Sequence, residues 1–311
     1  MRQRFIQSFP TSDDIQSALD NKELGKPYVA FSREEQSIDW NSKEIDYTGM
    51  PLTFEIISGG TIEFKGNNKT IQYRLNGGEW TDITSAKEGS IITVNQGDKV
   101  QFRAENFKNY NEYGNLTFLG TAMYNAYGNI MSLINPTDFK NLYEFPSDSI
   151  YTFHSLFGGG GIYHYTNTGI IDASNLILPA TAVTYHGYEE MFQRCLNLVA
   201  APALPAKTLD GFCYVEMFDS CPKLIKAPEL PATSLAKNCY NFMFWGCTNL
   251  NYVKAMFTTT PGISYTRDWL SGVAKSGTFV KNPEATWDTD ETFARGSSTV
   301  PTNWTIENAE I

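Results

Sequence analysis

The residues of this chain whose types could do chemistry are its cysteines, its histidines and a group of acids near position 200. Cys195, Cys221 and Cys247 step by 26 residues, and Cys213 and Cys239 repeat the step. Thiolates hold metals or exchange disulfides, but such sites pair their ligands at C-x-x-C or His-x-x-x-His spacing. Neither spacing occurs, and His154, His164 and His186 fall outside the cysteine columns. Five thiols, an odd count at repeat-dictated positions, fit small buried apolar residues better than a disulfide framework. We therefore expect structural cysteines, no metal and no cofactor.

The acids are Glu189, Glu190, Glu216 and Asp219. Polysaccharide hydrolysis needs two carboxylates in one cleft, about 5–9.5 Å apart. These four show no shared repeating register that marks a pair, and solvated faces account for them. No catalytic residue is expected, and the chain reads as a non-enzyme. The run Gly158-Gly159-Gly160-Gly161 lacks the Gly-Lys-Ser/Thr or helix opening of a phosphate cradle and reads as a turn.

What positions these side chains is a 26-residue unit written three times. Leu178-Pro179-Ala180, Leu204-Pro205-Ala206 and Leu230-Pro231-Ala232 share one register. So do Tyr188, Tyr214 and Tyr240, the pairs Met191-Phe192, Met217-Phe218 and Met243-Phe244, and Leu198, Leu224 and Leu250. A period of roughly 20–29 residues with fixed leucines marks a leucine-rich solenoid, whose units stack to share one core. Leu209, Cys213, Met217 and Cys221 step by four, which predicts one face of a short helix. Pro202 and Pro228 fall on the opposite side of the unit, where short or broken strands are expected. The Met and aromatic columns read as core.

Solenoids bind through positions that vary while the core columns stay fixed. Glu189, Val215 and Asn241 form one such column. Trp245 stands where the other copies carry Gln193 and Asp219. It is either an exposed aromatic for a sugar or protein, or a tryptophan packed beneath the C-terminal residues, and the second reading is preferred. Trp245, Glu189, Val215 and Asn241 are the candidate ligand surface.

The rest of the chain is aromatic (14%) and sparsely charged (19%), which suits a mainly β protein with short helices. Residues 1–50 read as an N-terminal connector. Ile15, Ala18 and Leu19 give it a narrow apolar face, and Phe5, Ile6, Ile15 and Leu19 are its candidate anchor to a partner. That face either lies on its own protein or docks on another. Residues 51–117 alternate in short runs between turns, with Asn76-Gly77-Gly78 as the clearest hairpin signal, and predict a small Ig-like β-sandwich. The solenoid is assigned to 118–265, with 158–161 inside a degenerate first repeat, and a C-terminal capping module to 266–311.

A net charge of −10 without any basic run argues against nucleic acid. No stretch of about 18 apolar residues occurs, so no membrane insertion is expected. Met1-Arg2-Gln3-Arg4 is followed by no apolar segment, so no secretory signal is expected either.

The repeat L-P-A-x-x-L-x-x-x-C-Y-x-x-M-F-x-x-C-x-x-L-x-x-A-P resembles the BspA-type leucine-rich repeat proteins of Bacteroides and relatives. The ending from Gly277-Thr278-Phe279-Val280-Lys281 to Val300-Pro301-Thr302-Asn303-Trp304 resembles the tail module that follows such repeats. The stretch from Leu24 to Asn41 and the sandwich resemble segments placed before them. The likeness covers most of residues 24–311. It implies a surface interaction or adhesion module, of a kind also found in phages infecting those bacteria. With the expected lack of a signal, it suggests a structural protein of a phage virion, such as a head fibre, decoration or tail-associated protein. Its N-terminus would meet other virion proteins, its repeats a host surface protein or glycan, and it would form a homo-oligomer. The alternative is a bacterial cell-surface adhesin of the same repeat family.

Overall fold

The computed structural model describes residues 45–66, 68–107, 116–147, 149–158, 165–258, 262–287, 289–290 and 297–310. The candidate anchor residues Phe5, Ile6, Ile15 and Leu19, together with His164 and Gly159 to Gly161, lie outside them. From Asp46 onward the chain forms one compact unit. It is mainly β.

Alternating apolar residues build the first two sheets. Strands β1 (Leu52–Ser58), β3 (Thr70–Leu75), β4 (Thr81–Thr84), β6 (Lys99–Arg103), β8 (Met123–Asn129) and β9 (Ile170–Ile177) form one, in the order β4-β3-β6-β1-β8-β9. Strands β5 (Ser90–Val94), β2 (Gly60–Lys65) and β7 (Thr117–Gly120) form the other. Phe54 and Phe102 of the larger sheet meet Phe118 of the smaller at ring-centroid distances of 5.2 and 4.7 Å, so the inner faces share a core. The β3–β4 hairpin turns at Asn76 (φ 52°) and Gly77 (φ 75°), the left-handed pair that this tight turn requires.

The boundary expected at residue 117 is not where the sheet ends. β7 and β8 complete the two sheets, and β8 then pairs in parallel with β9 at the start of the repeats. Met123–Asn129 therefore belongs to the sandwich and also bonds to the repeat stack, and a single hydrophobic cluster runs from Leu52 to Trp304.

Within the repeats the period-four spacing does not make a helix. Each unit is a ribbon of successive turns. Met191 N–H donates to Tyr188 C=O and Gln193 N–H to Glu190 C=O within a unit. The intervening Tyr188, Glu190, Phe192 and Arg194 N–H groups donate instead to Cys213, Val215, Met217 and Asp219 of the next unit. Every fourth residue has positive φ: His186, Glu190 and Arg194, then Phe212, Glu216 and Ser220, then Asn238, Phe242 and Gly246. A helix would spend all its amides internally. This ribbon leaves alternate amides free to join neighbouring units, which offsets the roughly 1–2 kcal/mol that each left-handed residue costs. Four apolar residues per turn of ribbon produce the same sequence spacing as an amphipathic helix. The one α-helix among the described residues, α1, is Ile263–Thr266.

The opposite side of each unit is broken, as the prolines require. β10 (Ala182–Val183) and β11 (Thr208–Leu209) pair over two residues, and Asp172–Ala200, Lys226–Tyr252 and Leu230–Ala255 are isolated bridges.

The stacking outlasts the visible repeat. Tyr240, Phe242, Phe244 and Gly246 donate to Tyr265, Arg267, Trp269 and Ser271, adding another turn ribbon. β12 (Tyr252–Ala255), β13 (Gly277–Lys281) and β16 (Trp304–Asn308) then run parallel, and β14 (Thr289–Asp290) pairs with β15 (Val300–Pro301). The residues assigned to a separate cap thus continue the same stack. Trp269 and Trp287, with centroids 5.4 Å apart, pack with Phe257 and Phe279 within it.

Candidate functional site

The turn ribbons stack into one face whose columns step by one unit. The cysteines point into the core beneath it. Cys195, Cys221 and Cys247 donate through Sγ to the carbonyls of Phe157, Phe192 and Phe218, one unit back, at 3.3, 3.1 and 3.0 Å. All five cysteines are free and buried. Burial holds their thiols high, with Cys239 and Cys247 pushed up to about 12. Their role is to fill and tie the core.

The four acids do not lie on solvated faces, and the reason lies in the ribbon. Glu190 and Glu216 occupy one left-handed column, 26 residues apart, with Ser155 on the unit before them. Gln193 and Asp219 occupy another. Ser155 Oγ donates to Glu190 Oε2 at 3.0 Å and lies 3.1 Å from His154 Nδ1. His154, 2% exposed, places Nε2 3.4 Å from Glu189 and 3.5 Å from Glu190. His186 Nδ1 binds the same Glu189 carboxylate. A doubly protonated His154 ring would satisfy these contacts together.

The cluster continues into the next unit. Gln193 Nε2 donates to Glu216 Oε2 and, at 3.0 Å, to Asp219 Oδ2, while Ser220 Oγ donates to Asp219 Oδ1 at 2.8 Å. Burial first, then the charges of Glu190, Asp219 and Glu189, push the Glu216 carboxyl up to about 8. Burial also raises Asp219, against the bonds from Ser220 and Gln193. Such a group can take up and release protons near neutral pH. Its carboxylate oxygens are bound by cluster neighbours, which suits holding units together more than attacking a substrate. Among the described residues, no three His, Cys, Asp or Glu are placed to hold a metal ion.

Of the candidate ligand residues, Trp245 alone is open, 47% exposed on the turn face. Trp269 and Trp287 fill the packing role that Trp245 was expected to take. Val215 and Asn241 are buried, at 8% and 7% exposure, so neither offers a ligand surface. Their column turns sideways between units: Asn241 Nδ2 donates to Asn238 Oδ1 at 3.0 Å, and its Oδ1 accepts from Arg267 N–H at 2.8 Å. Glu189 sits in the same column and is held by the histidines. Two aromatic features escaped the sequence reading. Tyr185 is 38% exposed and meets Phe212 at 5.5 Å, and the Arg267 guanidinium lies 5.6 Å from the Phe242 ring. The 26-residue step from Glu190 to Glu216 is the signal that would have found the acid column.

No family model, curated protein or solved structure matches this chain.

Proposed function

We propose that this chain is a non-enzymatic structural and binding protein carried on a phage particle, anchored through its N-terminal residues and presenting its repeats to a host surface protein or glycan. The finer architecture under this reading is an Ig-like sandwich joined to a BspA-type leucine-rich repeat solenoid. The observation that carries the binding role is the turn face itself. Half-exposed Trp245 and Tyr185 stand on a backbone fixed by bonds between units, where a rigid aromatic contributes contact area at low entropy cost. The likeness of the repeats to those of surface modules and phages of Bacteroides supports the particle.

The second reading is a cell-surface adhesin of the same repeat type, which would use the same face. Binding of purified protein to intact host cells tests that face. Trp245→Ala and Tyr185→Ala should each weaken it while leaving the melting temperature near that of the parent. Equal binding by both variants would remove this face from the account.

A further inference from the structure

We propose that Arg74 and Arg103, held against Trp80 on the outer face of the six-stranded sheet, bind a single oxyanion, a carboxylate or phosphate group on a small ligand. The site is separate from the turn face of the repeats. It follows from strand register. Gln72 lies opposite Arg103 and Arg74 opposite Gln101, so each arginine faces a glutamine across the β3–β6 ladder. Arg74 Nε donates to Gln101 Oε1 at 2.7 Å, and Arg103 Nε donates to Gln72 Oε1 at 2.9 Å. The glutamines are fixed in turn, Gln72 by Asp82 at 2.9 Å and Gln101 by Thr53 at 3.4 Å. Both guanidinium carbons then lie over Trp80, at 4.7 and 4.1 Å from the ring.

Two guanidinium groups on one indole are usually balanced by acids, and this chain has 34 of them. Here neither arginine forms an ion pair among the described residues. Asp82 is engaged by Gln72, Glu55 is paired with Lys99, and Glu79 is exposed next to Trp80 in the chain. Each arginine uses one Nε–H on a neutral glutamine, which leaves its Nη donors for an outside acceptor. A forked, pre-oriented guanidinium recognises carboxylate and phosphate oxygens, and stacking on the indole fixes its plane. The net charge of −10 disfavours an extended polyanion at long range, so short-range recognition of one group is what the site offers.

The test is a titration of the intact protein with glucuronate, inorganic phosphate and neutral glucose, read by NMR at the Trp80 indole and the arginine Nε–H signals. The double variant Arg74→Lys with Arg103→Lys keeps charge and stacking but loses the forks, and its melting temperature is checked alongside. We expect glucuronate or phosphate to shift these signals, glucose to leave them unmoved, and the double variant to bind at least tenfold more weakly. Binding of glucuronate would point to an acidic sugar, and of phosphate alone to a phosphoryl group. The proposal is overturned if neither anion binds at millimolar concentration, if glucose binds as well, or if the lysine variant binds like the parent.

Discussion

Phe192 and Phe218, 26 residues apart in the chain, stack with centroids 5.4 Å apart and planes 2° from parallel. Phe218 and Phe244 repeat the relationship at 5.7 Å and 3°, and the Tyr188, Tyr214 and Tyr240 column runs beside them at 5.8 Å steps. Identical residues at a fixed step give each unit the same shape to pack on. This is how a sequence repeat becomes a continuous core.

Phe218 is therefore the residue whose loss should be felt on both sides. Phe218→Ala is expected to cost about 3–5 kcal/mol, from lost burial plus the cavity left between two rings. A double-mutant cycle with Phe192→Ala should show coupling of about 0.5–1.5 kcal/mol. Additive effects in urea denaturation would mean that the rings do not stack.

The buried acid gives a signed pH dependence. Below the ordinary glutamate value of 4.5 both folded and unfolded chains carry neutral Glu216. As pH rises the unfolded chain ionises first, while the buried group keeps its proton up to about 8. Stability is therefore fully present below 4.5 and lost as pH climbs to about 8, on the order of 4 kcal/mol at about 1.36 kcal/mol per pH unit. Glu216→Gln stays neutral throughout and should flatten that part of the profile. Parent and variant losing stability in parallel between pH 5 and 8 would contradict this burial.

The cysteines should be silent. Buried thiols with raised acidity constants react slowly, because the thiolate is the nucleophile. Alkylation at pH 8 followed by intact-mass measurement should show no modification of the native chain and five additions after unfolding. Rapid labelling of any one in the native state would show it open to solvent.

Gly128 tests the joint between sandwich and repeats. Its φ is +85°, and a Cβ there would lie 2.2 Å from the Pro51 carbonyl oxygen. Gly128→Ala should cost several kcal/mol, since both the backbone conformation and the space reject a side chain. A melting temperature within a few degrees of the parent would show that β1 and β8 are not so close.

Much of this could be read from the residues alone. The alternation in Leu52-Thr53-Phe54 and the Asn76-Gly77 turn mark the sandwich strands, and the Tyr, Met-Phe and Cys columns mark the core of the repeats. The turn ribbon could not be told from a helix, because Leu209, Cys213, Met217 and Cys221 satisfy both spacings. That error also displaced the acids. On a helix Glu189, Glu190 and Glu216 spread around the outside, whereas the ribbon brings Glu190 and Glu216 into one column. The continuing stack after Leu250 was hidden because its side chains change while its backbone pairing persists.

The central claim, a particle-borne binding protein, is tested most directly by mass-spectrometric analysis of density-purified phage from the source of this chain. The account predicts its peptides in the particle band at a fixed ratio to the major capsid protein. Peptides absent from that band and found only in the bacterial envelope fraction would contradict it.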